Sequence, residues 1–237
     1  MKQNRIWELD ALRGVCILGM VAVHGIYDAT ELYGLLNWTY PPLFLLVKDW
    51  GGVAFLLLSG VCATLGRDST RRGLVVFGSG MLITAVTAAG FFLGLIDGSL
   101  VISFGVLHCL GLSMVLWPIF RKLEGKRLAL LGTMLAVAGL WFRKIAVDTP
   151  WLIPFGLSPA DFFAADYFPL LPNFGFFLLG AVLGKLLYSN KVTRFPWEQG
   201  NISRFLQTCG RNSLPIYLAH QPVIYGVLAA LDFAGIL

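Results

Sequence analysis

The chain has 237 residues, of which 57% are hydrophobic and only 13% charged, with a formal net charge of +5. An ordinary soluble domain carries about 25% charged residues, so a soluble enzyme, a disordered chain and a disulfide-stapled secreted domain are excluded, and an integral membrane protein remains. The basic residues flank apolar segments, where they set topology, and no soluble basic face exists to bind nucleic acid.

Long uncharged stretches without strand alternation predict helices rather than a barrel. The expected fold is all-α: a polytopic membrane bundle of about seven transmembrane helices, forming a single domain over residues 1–237. The first span runs from about Asp10 to Asp28, with an uncharged heart from Gly14 to Tyr27. Acidic Glu8 and Asp10 stand where a signal peptide would carry a basic region, so this span reads as a retained helix. The second is Trp50–Gly66, the third Gly73–Ile96 and the fourth Gly98–Phe120. The fifth, Leu128–Phe142, is the weakest, being short of the ~20 residues a bilayer asks for. Arg143 and Lys144 would have to snorkel to complete it. The sixth is Tyr167–Gly184 and the seventh Asn212–Leu231.

With the N-terminal side set as inside, Lys2, Arg5, Arg13, Arg67, Arg71, Arg72, Arg121, Lys122, Lys126, Arg127, Lys185, Lys191, Arg194, Arg204 and Arg211 all fall there. Only Lys48, Arg143 and Lys144 fall outside. This asymmetry predicts a cytoplasmic N-terminus and an extracytoplasmic C-terminus. The outer stretches Ala29–Asp49 and Lys144–Asp166 are rich in aromatics and proline (Trp38, Tyr40, Pro150, Trp151, Pro154), which suits interfacial chain or a lid over a cavity. Lys185–Arg211 reads as an inner connection. The four cysteines lack zinc-like spacing, so no metal site is expected.

Ionisable groups inside a bilayer are costly and point to function. All three histidines, His24, His108 and His220, lie within predicted spans. In the first span, ten residues separate Arg13 from His24. At ~100° per residue, eleven steps return His24 to within about 20° of Arg13, some 16 Å further along the helix. Asp10 and Asp28 lie about 40° to either side by the same arithmetic. One helix face thus carries a cation at its inner mouth and an imidazole toward the far side. Asp28, one turn on, is placed to fix the imidazole tautomer. A phosphate-bearing head at Arg13, joined by an extended arm to a carbonyl near His24, fits this face, and acyl-CoA has that shape. The bland alternative makes Arg13 a topology marker and His24 a helix–helix hydrogen-bonding residue.

These residues also carry a family likeness. Asp10-Ala-Leu-Arg13-Gly14 followed by His24 resembles the Arg-x10-His signature of the membrane acyltransferase-three family. Phe55-Leu-Leu-Leu-Ser59-Gly60 and Ser213-Leu-Pro-Ile-Tyr217-Leu-Ala-His220-Gln-Pro222 resemble two further segments of it. The closer likeness is to bacterial relatives of the heparan-α-glucosaminide N-acetyltransferase catalytic domain. It rests on Arg5-Ile-Trp-Glu-Leu-Asp10-Ala-Leu-Arg13-Gly14, on His24 with Asp28, on Phe104-Gly-Val-Leu-His108-Cys-Leu-Gly111, and on Asn173-Phe-Gly175 with Gly180. The resemblance implies a multi-pass acyltransferase of a bacterial cytoplasmic membrane. Such an enzyme takes an acyl group, such as acetyl, from cytoplasmic acyl-CoA to a hydroxyl or amine of an extracytoplasmic sugar or glycolipid. One feature departs from it: the lysosomal enzyme's catalytic histidine lies outside the first span, and Ala29–Asp49 contains none, so the glycosaminoglycan substrate is not carried over.

The residues expected to carry the chemistry are His24, steadied by Asp28, with His108 and His220 positioning acceptor or thioester. Those expected to meet the donor are Arg13, Asp10, Ser59, Arg211, Asn212 and Ser213. Ser59 beside Gly60 equally suits small-residue helix packing. The bilayer is the expected surrounding and a homo-oligomer is left open. A proton-coupled transporter or channel would use the same intramembrane His and Asp groups, and a purely structural subunit is the third class.

Overall fold

The computed structural model describes residues 5–35, 39–164, 166–197 and 200–235. Lys2 and Trp38, used above, lie outside the described residues. The chain is helical throughout: α1 Trp7–Tyr27, continued by a π-helical turn Asp28–Leu32, then α2 Pro42–Leu65, α3 Ser69–Phe92, α4 Val106–Phe120, α5 Gly125–Phe142, α6 Leu170–Leu187, α7 Asn201–Arg211 and α8 Ser213–Phe233. Among the described residues, six of these helices are long and apolar enough to cross a membrane. Their side chains are turned outward in the manner of a bilayer protein: Leu74, Leu82 and Phe92 of α3 are exposed, as are Val223 and Val227 of α8. The all-α polytopic expectation holds.

Several boundaries differ from the sequence reading. The fourth span does not begin at Gly98. Asp97 accepts a hydrogen bond from the Ser99 amide and caps a short 3-10 turn over Gly98–Leu100. α4 starts only at Val106 and is 15 residues long, about 22 Å of rise. It is therefore the fourth helix, not the fifth, that falls short of a full crossing; α5 gains a turn at its start and has 18 residues. α2 begins at Pro42, inside the stretch taken as an outer loop, because a proline suits a first helical turn. Within the connection Lys185–Arg211 lies a helix, α7, with one strongly apolar and one polar face.

The chain forms two compact units, one of residues 1–55 and 191–237, the other of residues 56–190. In the first, α1 and α7 pack through glycine. A Cβ at Gly14 would collide with the Leu206 carbonyl, and one at Gly210 with the Asp10 carbonyl. Small residues permit this backbone approach, which is how helices associate where lipid supplies no hydrophobic drive. The entry to α1 is tied down by Glu8, which accepts from the Thr193 hydroxyl (2.7 Å) and the Arg194 amide (2.8 Å), while the Trp7 indole donates to the Phe195 carbonyl (2.8 Å).

The second unit repeats the device. Gly60 meets Phe177 on α6 and Gly180 meets Leu57 on α2. Gly73 and Gly111 do the same between α3 and α4, and Gly132 and Gly175 between α5 and α6. α6 is the most enclosed helix, with Phe177, Leu178 and Ala181 fully buried. Lys185 donates to the Arg121 and Leu123 carbonyls (2.9 and 2.6 Å), satisfying acceptors left over at the end of α4.

Candidate functional site

The first unit gathers most of the residues singled out from sequence. Asp10 is the hub at one end. Its carboxylate accepts from Arg211 Nε at 3.1 Å and lies 3.7 Å from an Arg13 guanidinium nitrogen. The glycine seam makes this meeting possible, because Gly14 and Gly210 let α1 and α7 approach while Asp10 and Arg211 sit beside them. Arg211 also donates to the Gln207 side chain (3.0 Å), and buried Gln207 donates in turn to Ser203 (3.2 Å). Two guanidinium groups sharing one carboxylate leave a net positive cluster with fixed donors, suited to phosphate. Asp10 itself, as a carboxylate, would repel a phosphate, and in the structure it holds both arginines. Asn212 is likewise redirected: its side-chain amide donates to the Thr208 carbonyl (2.9 Å) at the end of α7. Ser213 opens α8 two residues before Pro215, which has no amide hydrogen and thins the backbone donors there.

About 16 Å further along α1, His24 faces His220 of α8, with ring centroids 5.0 Å apart and planes inclined by 48°. His24 Nδ1 donates to the Met20 carbonyl at 3.1 Å, and His220 Nδ1 donates to the Tyr217 carbonyl. A carbonyl only accepts, so each neutral ring carries its hydrogen on Nδ1 and its lone pair on Nε2. Two imidazoles set this way present their Nε2 atoms for proton transfer. Asp28, expected to steady His24, is buried in the π-helical turn instead. There it takes a hydrogen bond from the Gln221 side chain of α8. The tautomer of His24 is set by its own helix.

The second unit holds His108 and Ser59. His108 is 2% exposed. Its Nδ1 accepts from the Gly105 amide (3.1 Å), capping α4, and its Nε2 lies 3.3 Å from the Thr84 hydroxyl, which itself donates to the Ile102 carbonyl (2.6 Å). Phe77 and Phe104 flank the ring. With one nitrogen accepting and the other donating, His108 joins α3 to the start of α4. Ser59 is buried beside Gly60 at the α2–α6 seam, in agreement with small-residue packing. Pro150, Trp151, Ile153 and Pro154 line an open cavity of about 300 Å³ together with Ser103 and Phe104.

Gln207 and Gln221 escaped the sequence reading. The first had a signal: it lies one turn before Arg211 on the polar face of an amphipathic helix. The second had none beyond its place after His220.

No curated protein and no solved structure matches the chain. The family model described as heparan-alpha-glucosaminide N-acetyltransferase, catalytic, matches residues 5–222 and so takes in α1 and its polar face, both units and the His220 segment. On that match the chain belongs to the heparan-alpha-glucosaminide N-acetyltransferase catalytic family, a family of membrane acetyltransferases.

Proposed function

We propose that the chain, acting as one catalytic domain in a bacterial cytoplasmic membrane, transfers an acetyl or similar acyl group from cytoplasmic acyl-CoA to a hydroxyl or amine of an extracytoplasmic, sugar-containing acceptor. The observation that carries this reading is the single face of α1 that joins a fixed arginine pair at one end to an imidazole pair at the other. Arg13 and Arg211 hold the phosphates of the donor. The donor, when bound, supplies an acyl group activated as a thioester. His24 Nε2 takes the proton of the acceptor hydroxyl or amine. Family membership favours this over a transporter using the same groups.

The distribution of basic residues supports donor entry from the cytoplasm. With α4 crossing despite its length, the C-terminus lies outside, so a C-terminal alkaline phosphatase fusion is expected to be active and a fluorescent protein fusion dark. The reverse pattern removes α4 from the spans. The direct test is purified protein in lipid nanodiscs given labelled acetyl-CoA and extracted envelope glycans. Transfer of label, lost in His24→Ala, is expected. Absence of both transfer and saturable acyl-CoA binding, with substrate-coupled proton flux in its place, overturns the reading.

A further inference from the structure

A guanidinium that is to grip a phosphate must be held still without being neutralised. Arg13 and Arg211 meet this demand differently. Arg13 lies 3.7 Å from the Asp10 carboxylate, an ion pair longer than a hydrogen bond and one turn away on its own helix. Arg211 has the more exposed side chain, 42% against 23%, yet it has two fixed partners. Its Nε donates to Asp10 at 3.1 Å and its Nη2 to the Gln207 side-chain oxygen at 3.0 Å. An exposed arginine ordinarily samples many rotamers, and a ligand that orders it must offset that entropy. Here the ordering is done beforehand. Both contacts fall on the edge formed by Nε and Nη2, which leaves the Nη1 side of the fork for an anion.

Gln207 is 4% exposed and shares one side of α7 with Ser203 and Arg211, each four residues away. Its orientation follows from the chemistry of its neighbours. A guanidinium only donates, so the amide oxygen must face Arg211, and the amide nitrogen then donates to the Ser203 hydroxyl at 3.2 Å. The same end of α7 is seated against α1 where Gly210 meets the Asp10 carbonyl. We propose that Gln207 is a positioning residue of the donor site, a neutral acceptor that fixes the Arg211 guanidinium for the phosphates of the donor while leaving its charge uncancelled. This rests on the transferase reading above. A glutamate at this position would hold Arg211 as firmly, but it would remove the net positive charge of the cluster formed with Asp10 and Arg13. Acting through Arg211, Gln207 thus favours a phosphate-bearing thioester over a phosphate-free one.

The test uses the whole protein in lipid nanodiscs, with acetyl-CoA and acetyl-pantetheine as probes. Gln207→Met is close in volume, and its thioether is a poor acceptor. It is expected to weaken acetyl-CoA binding about tenfold and acetyl-pantetheine binding less than about twofold. The KM for acetyl-CoA should rise in step, with kcat kept within about twofold. In an Arg211→Gln background the same substitution should add less than about twofold, because the group it positions is gone. Gln207→Glu should also weaken acetyl-CoA binding, through charge rather than position. Equal weakening of both probes by Gln207→Met, a full tenfold loss in the Arg211→Gln background, or unchanged acetyl-CoA binding in Gln207→Glu overturns the proposal. A second readout follows rotation of arginine guanidinium groups about Nε–Cζ by NMR, with the Arg211 signal assigned by its loss in Arg211→Gln. Arg211 is expected to rotate about tenfold more slowly than exposed Arg67 and Arg71 in the wild type and in Gln207→Glu, and to quicken in Gln207→Met. Rotation in the wild type as fast as that of Arg67 overturns the hold, whether or not Gln207→Met folds. A wild type that binds neither probe refutes the transferase reading, and the rotation result then judges the Gln207–Arg211 contact by itself.

Discussion

The two units each bury histidine, and they use it in opposite ways. In residues 56–190, His108 has an amide on one ring nitrogen and a hydroxyl against the other, with an aromatic ring at either side. Both ring nitrogens thus have partners in the protein. In the other unit, His24 and His220 each give one nitrogen to the backbone of their own helix and turn their rings toward each other. Location inside an apolar segment is common to all three histidines and does not tell them apart. The partner of the second nitrogen does.

The largest expected effect on that contrast comes from His24→Ala. Transfer should fall by about 10²–10⁴-fold with folding and donor binding kept. The wild-type rate should also fall at acid pH as the base becomes protonated, and the residual rate of the variant should lack that limb. A well-folded His24→Ala with near wild-type turnover would erase the distinction between the two units.

Next comes the cationic end of the same helix face. Arg13→Ala should weaken acyl-CoA binding about 10–100-fold, since charge-assisted contacts to phosphate are worth roughly 1.5–3 kcal/mol. Binding of a phosphate-free acyl-pantetheine should hardly change. Equal weakening of both ligands, measured by calorimetry, would make Arg13 structural.

His108→Ala should act in the other currency. Removing the ring leaves the Gly105 amide and the Thr84 hydroxyl short of a partner in a buried setting, at a cost of about 1–3 kcal/mol in stability. Thermal denaturation in detergent should show the loss, while turnover per folded molecule stays near wild type. Lost turnover with unchanged stability would return His108 to the chemistry.

The smallest effect belongs to an exposed cap in the same unit. The Ser99 amide holds the Asp97 carboxyl below the usual carboxylate range. A folded-state value below the unfolded one means the contribution is present above the ordinary carboxylate range and lost as pH falls through the folded value. Amide exchange in the turn Gly98–Leu100 should therefore quicken in acid in the wild type and be insensitive to pH, beyond intrinsic exchange, in Asp97→Asn.

Helical periodicity made the α1 face legible before any coordinates. Arg13, His24, Asp10 and Asp28 share one side because eleven steps of a 3.6-residue helix nearly close three turns. Apolar runs likewise disclosed the spans. The start of α4 was hidden because Leu100, Val101, Ile102 and Phe104 continue the hydropathy although a capped turn interrupts the helix. α7 was hidden because its polar face lowers the mean hydropathy that marks a span. The partner of Asp28 was hidden for a different reason. A one-dimensional pattern places a carboxylate near the histidine four residues before it, but only packing brings α8 and its Gln221 against the same turn. The glycines that join α1 to α7 gave no positional signal, since a lone glycine in an apolar run reads the same whether it meets lipid or another backbone.

The contact between Arg211 and Asp10 spans 201 residues of sequence. At a synthesis rate of about 5–20 residues per second, the first helix waits some 10–40 s in the translocation machinery or the bilayer before its partner arginine emerges. Arg211 thus reaches an Asp10 that already has Arg13 one turn away on its own helix, and its arrival leaves the three-residue cluster with one positive charge in excess. The arginine pair is therefore assembled late, with only α8 and its His220 still to follow.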